Sequence, residues 1–148
     1  MARIDTDHYF MKIAELVKER STCVKQKVGA VLVKDKHIIS TGYNGAPRGV
    51  THCTKETCLR LGLDSLEKSH LCRGAHAEEN SIAQAAYHGV STKNSVIYST
   101  HFPCMSCSKL LINAGVRKIY YAREYDMDNE LKMNILKGGG MEIHKVCI

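Results

Sequence analysis

The residues of this chain best equipped for chemistry form a split motif. His76-Ala77-Glu78 comes first, and Pro103-Cys104-Met105-Ser106-Cys107 follows. Together they supply one imidazole nitrogen, two thiolates and one carboxylate that need not bind a metal. Cys104 and Cys107 are spaced by one helical turn, and Glu78 lies two residues from His76. Three protein ligands leave the fourth tetrahedral position of a zinc ion open for water, which makes such a site catalytic rather than structural. Zinc lowers the pKa of its water from about 16 toward roughly 7, giving hydroxide at neutral pH. A carboxylate beside it, here Glu78, is then the expected proton shuttle.

These side chains need elements to aim them. Asp5 or Thr6 can cap a first helix running to about Arg20, with Phe10, Ile13, Ala14 and Val17 as one apolar stripe. Residues 28–33 read as a buried strand and 37–43 as a second, joined as a hairpin across Lys34-Asp35-Lys36. From Asn44 to Gly74 no periodicity is sustained, and a loop of that length implies function. Helices are expected at 75–88, 104–114 and 128–137, with strands at 95–99, 117–122 and 141–146. Gly89, Gly115 and Gly138-Gly139-Gly140 stop the three helices. His76 then opens one helix, and Cys104 and Cys107 fall in the first turn of the next. Thiolates there gain from the helix dipole, and Pro103 suits a helix start. The order αββαβαβαβ implies an α/β fold: a five-stranded mixed sheet with helices on both faces, parallel from the third strand onward.

Bulk properties bound the rest. A chain of 148 residues is expected to form one domain, residues 1–148, with its own core. The net charge of +6 suits a phosphorylated small molecule or a nucleic acid and discriminates poorly between them. No apolar run reaches membrane-span length, and Met-Ala-Arg-Ile-Asp does not begin a signal peptide. Seven cysteines cannot all pair in disulfides. With eight histidines they point to reduced thiols and metal, in a cytoplasmic setting.

The spacing His-x-Glu followed by Pro-Cys-x-x-Cys is the signature of zinc-dependent nucleobase deaminases, in which hydroxide attacks an amidine carbon and ammonia leaves. The segments Gly42-Tyr43-Asn44-Gly45-Ala46-Pro47-Arg48-Gly49 and Cys72-Arg73, ahead of His76-Ala77-Glu78-Glu79-Asn80-Ser81-Ile82, narrow this further. They resemble the deoxycytidylate (dCMP) deaminase family of the cytidine deaminase superfamily, including the late-competence operon proteins. Arg20-Ser21-Thr22-Cys23, Val28-Gly29-Ala30 and Tyr120-Tyr121 extend the resemblance over nearly the whole chain. Free-cytidine deaminases typically use Cys where this chain has His76.

The resemblance implies a cytidine-deaminase-like three-layer α/β/α sandwich that converts dCMP to dUMP and ammonia and so supplies thymidylate synthesis. It assigns zinc to His76, Cys104 and Cys107, with Glu78 moving protons during attack at C4. Asn44 would contact the nucleoside and the backbone at Ala77 the pyrimidine carbonyl. Arg20 and Ser21 would face the phosphate, although Arg20 serves equally well as a helix cap. Tyr121 would stack on the base or simply pack. A second, structural zinc is implied at Cys23, Cys53, His70 and Cys72, with Cys58 as substitute; the alternative is free thiols and a surface histidine. Many members are hexamers controlled by dCTP and by dTTP with Mg²⁺, and some related enzymes also accept dCTP. Two other readings share parts of the motif: a tRNA adenosine deaminase, and a zinc-organised nucleic-acid-binding module. The Gly-Tyr-Asn-Gly segment argues against the first, and Glu78 beside an open shell argues against the second.

Overall fold

The computed structural model describes residues 2–64, 67–124 and 129–148. The first helix, α1 (Thr6–Lys18), begins where the Asp5 carboxylate accepts the His8 N–H at 3.0 Å. Phe10, Met11 and Ala14 are its buried stripe, with Ile13 and Val17 packed alongside. The helix ends before the expected Arg20. The N–H groups of Glu19 and Arg20 turn back to the Leu16 and Val17 carbonyls, a tightened last turn.

Strands β1 (Gly29–Lys34) and β2 (His37–Tyr43) pair antiparallel. Asp35 and Lys36 join them with φ of 50° and 63°. Two left-handed residues give the turn whose twist matches a hairpin. The remaining elements are α2 (Ala77–Tyr87), β3 (Val96–His101), α3 (Met105–Asn113), β4 (Lys118–Arg123), α4 (Asn129–Gly138) and β5 (Glu142–Lys145). The expected start of the last helix at Asp128 lies outside the described residues.

The sheet runs β2-β1-β3-β4-β5. β1 and β3 are antiparallel, while β3, β4 and β5 are parallel, as the alternation of strand and helix requires. Side-chain parity divides the core between the two faces. Ala30, Leu32, Ile97 and Ile119 meet α2, α3 and α4 on one side; Val31, Val33 and Tyr98 meet α1 on the other. The result is the expected three-layer α/β/α sandwich around a five-stranded mixed sheet.

Two features bring the chain to its site. First, α2 lies directly on the backbone of β2. A Cβ at Gly42 would stand 2.2 Å from the Ala77 carbonyl oxygen and 2.4 Å from the Ser81 nitrogen, so only glycine permits this approach. Second, the ends of the long loop are tied together. Gly45 and Ala75 exchange both backbone hydrogen bonds, at 3.2 and 2.8 Å, which holds Asn44 near His76. Among the described residues between those ends, the one helical element is a 3-10 turn at Ser69–Leu71. No helix among the described residues is long and apolar enough to cross a membrane.

Candidate active site

Two of the three expected metal ligands, His76 and Cys104, stand at helix caps rather than inside the first turns. His76 is the N-cap of α2, with extended backbone at φ −76° and ψ 158°. Its N–H is accepted by the Glu79 carboxylate at 2.8 Å, and its carbonyl accepts the Asn80 N–H at 2.9 Å. The helix therefore begins at Ala77, later than the expected 75, because Ala75 is bonded to Gly45 instead. Cys104 is the N-cap of α3, with φ −69° and ψ 172°, and its sulfur accepts the Cys107 N–H at 3.4 Å. This corrects the expectation that Cys104 lies in the first turn: only Cys107 does, and Pro103 precedes the cap. A cap residue keeps its side chain free to turn out of the helix, and both caps turn toward each other.

His76 Nδ1 lies 3.4 Å from Cys104 Sγ and 3.4 Å from Cys107 Sγ, and the three ligand atoms all fall within 4.8 Å of one another. Zinc with bonds of about 2.0–2.3 Å to N and S in tetrahedral geometry sets an N–S edge of roughly 3.6 Å. The donor set and its spacing fit that ion. Without an ion, the three groups share protons among themselves. The hydrogen bond to Cys104 raises the His76 imidazolium to about 9. The S–H of Cys107, with help from His76, draws the Cys104 thiol down to about 4, and the resulting thiolate pushes Cys107 up. A divalent cation here displaces the protons left on His76 and Cys107.

Glu78 is 4% exposed, on the first turn of α2. Burial raises its carboxyl above the ordinary 4.5 and the Cys104 charge acts the same way, while His76 and a hydrogen bond from Ser99 oppose them. The Ser99 hydroxyl donates to Glu78 Oε1 at 3.0 Å. Asn44, His76, Glu78, Cys104, Met105 and Lys132 share the wall of one cleft of about 650 Å³.

The other expected site residues divide. Ala77 lines the cleft at the helix N-terminus, where backbone N–H groups have no intrahelical acceptor. Asn44 lines it too, but much of its side chain is committed to the backbone. Its Oδ1 accepts from Val28 N–H at 2.8 Å and from Ser21 Oγ at 2.6 Å, and its Nδ2 donates to the Gln26 carbonyl at 2.7 Å. Ser21 thus secures Asn44, and neither it nor the exposed Arg20 is among the residues lining the cleft. Tyr121, on β4, packs edge-on to Phe102 with ring centroids 4.8 Å apart, and its hydroxyl donates to Glu124. Cys23, Cys53, Cys58, His70 and Cys72 all border the cleft. The structure does not gather them as a second ligand set: among the described residues, His76, Cys104 and Cys107 are the one group whose donor atoms converge.

Three contributors escaped the sequence reading. Ser99 had a signal, since polar Ser99 and Thr100 continue an apolar strand and both are fully buried. Lys132 had one too, because it precedes the buried Leu136 by one helical turn on α4. Its side chain is 2% exposed, with Nζ 4.5 Å from the Phe102 ring centroid. Glu79 had none, because the residue it caps is a histidine rather than a hydroxyl or amide side chain.

Comparison with known proteins agrees with this geometry. Residues 4–123 match the model of the cytidine and deoxycytidylate deaminase zinc-binding region. ComE operon protein 2 of Bacillus subtilis is 43% identical over 84% of this chain and 63% of its own. A deoxycytidylate deaminase of Saccharomyces cerevisiae is 36% identical over 98% of this chain and 46% of its own. The chain thus spans about half the length of these curated relatives, or somewhat more. The crystal structure of dCMP deaminase from cyanophage S-TIM5, in complex with dCMP and dUMP, superposes with a TM-score of 0.80 at 32% identity, covering 99% of this chain and 100% of that one.

Proposed function

The chain belongs to the cytidine and deoxycytidylate deaminase family, and from that premise we propose that it hydrolyses dCMP to dUMP and ammonia. The observation that carries the reading is the convergence of His76, Cys104 and Cys107 beside a buried Glu78 in an open cleft. Relatives named deoxycytidylate deaminase, and the likeness to a structure complexed with dCMP and dUMP, support the choice of base and sugar.

His76, Cys104 and Cys107 would hold zinc, which supplies Lewis-acid activation of a water molecule. Glu78 takes a proton from the attacking water. It passes that proton to ring N3 as water adds at C4, then carries the proton of the new C4 hydroxyl to the amine, so the carbonyl forms as ammonia leaves. Burial suits the carboxylate to this traffic, because its raised pKa brings it nearer working pH. The Ala77 N–H donates to the pyrimidine carbonyl, and the remaining Nδ2 hydrogen of Asn44 reaches the nucleoside. The product would supply thymidylate synthesis in the cytoplasm, with the whole chain acting as one domain.

The substrate assignment is tested by incubating zinc-replete protein with dCMP, dCTP, cytidine and a tRNA anticodon stem-loop while following ammonia. Release from dCMP at the highest kcat/KM is expected. Release from the RNA alone would move the assignment to the tRNA deaminases, and equal release from dCTP would make the enzyme bifunctional.

A further inference from the structure

We propose that Ser99 is a positioning residue for the proton shuttle: its hydroxyl pins one oxygen of Glu78 and so fixes the orientation of the carboxylate in the cleft. This rests on the reading of Glu78 as that shuttle. Strand parity sets the geometry. Ser99 follows Ile97 by two residues on β3, which turns its side chain to the face covered by α2 and α3. Its neighbours across the sheet are Ala30 on β1 and Tyr121 on β4. Ala30 is small enough to leave room for a carboxylate arriving from α2. Ser99 is fully buried, so its hydroxyl cannot turn to bulk water, and Glu78 Oε1 at 3.0 Å is the acceptor it meets.

A carboxylate has two equivalent oxygens until its surroundings distinguish them. A hydroxyl donor on Oε1 distinguishes that oxygen from Oε2 and holds the side chain in one orientation. The same bond survives both states. The carbonyl oxygen of the neutral acid accepts a hydrogen bond as the carboxylate oxygen does, so Glu78 can load and unload its proton without reorienting. A shuttle that reoriented between delivery to N3 and delivery to the amine would lose the entropic advantage of a fixed donor.

The test compares wild type, Ser99→Ala and Ser99→Thr for kcat and KM on dCMP, zinc content and melting temperature. Calorimetry adds the affinities for dUMP and for a pyrimidin-2-one deoxynucleotide, whose covalent hydrate mimics the tetrahedral carbon. Loss of a hydrogen bond to a charged group is expected to lower kcat about tenfold or more in Ser99→Ala, with KM little changed. Affinity for the hydrate-forming nucleotide should fall by a similar factor and affinity for dUMP should hold. Zinc content should hold, the melting temperature should fall by no more than the loss of one buried hydrogen bond, and Ser99→Thr should restore kcat. A Ser99→Ala enzyme within about twofold of wild-type kcat would overturn the proposal, because a lost charge-assisted bond costs more than that. So would a loss that merely tracks zinc content, or undiminished binding of the hydrate-forming nucleotide. Failure of the deaminase reading shows separately, as absence of nucleobase deamination by the wild type itself, and removes the proposal with it. If the wild type deaminates another base, the same comparison is made on that base.

Discussion

Asn44 lies in the cleft wall, and its amide also holds together the segment that precedes β1. Its oxygen satisfies Val28 N–H and Ser21 Oγ, and its nitrogen satisfies the Gln26 carbonyl. The binding role proposed for Asn44 and its role in folding therefore fall on one residue. Asn44→Ala would leave the half-buried Val28 N–H without its acceptor, at about 1–3 kcal/mol for an unsatisfied group, while the exposed Gln26 carbonyl turns to water. The expected outcome is a lower melting temperature together with a raised KM for dCMP. A variant that raised KM with melting unchanged would show that the contacts to Ser21, Gln26 and Val28 are idle. Thermal denaturation beside steady-state kinetics reads both.

The site is made by where elements begin. α2 and α3 each start at a residue proposed to bind zinc, and the sheet places those two starts side by side. Gly42 is the contact on which α2 rests, and a methyl group there meets backbone rather than a movable side chain. Gly42→Ala is therefore expected to lift α2 from β2, carrying His76 and Glu78 away from Cys104 and Cys107. Both zinc affinity, by competition with a chelator, and turnover should fall. Unchanged zinc affinity would mean that α2 has slack at this contact.

The periodic parts of these elements were legible in the sequence. Apolar spacing, composition and glycine stops predicted four helices and five strands, and the split motif predicted the three side chains that the structure brings together. The ends of the elements were not, because caps and last turns depend on bonds to distant residues, such as Ala75 to Gly45. Nor was the packing role of Ser21, whose acceptor is reached only when the loop folds back. Where long-range contact decides, local spacing says little; Ser99 and Lys132 carry a local signal of burial, but their partners Glu78 and Phe102 lie elsewhere in the chain.

Across the whole molecule, a half-buried polar cluster joins α1 to the end of the sheet. Glu15 contacts both Lys18 and Arg123. Burial alone would raise its carboxyl, but the two cations hold it below the ordinary 4.5. Its stabilisation is therefore present above 4.5 and lost as pH falls through the depressed folded value. His101 lies on the same side of neutrality. Burial, aided by Arg123 and Lys18, lowers it to about 4 from 6.5. Between those two values the unfolded chain binds a proton that the folded chain refuses, so stability falls as pH drops from 6.5 toward 4. Urea titrations across that range should show this slope in the wild type and a shallower one in His101→Asn. An equal slope would remove His101 from the account.

The central claim, that this chain deaminates dCMP through Glu78 beside a zinc held by His76, Cys104 and Cys107, meets its most direct test in one comparison. Wild type and Glu78→Gln are brought to equal zinc content, and dUMP formed from dCMP is measured. The account predicts dUMP and ammonia in equal amounts from the wild type. It predicts a loss of about 10²-fold or more in Glu78→Gln with the metal retained, since removal of a general acid–base group costs that much. Wild type that forms no dUMP, or a Glu78→Gln protein that forms it at the wild-type rate, would contradict it.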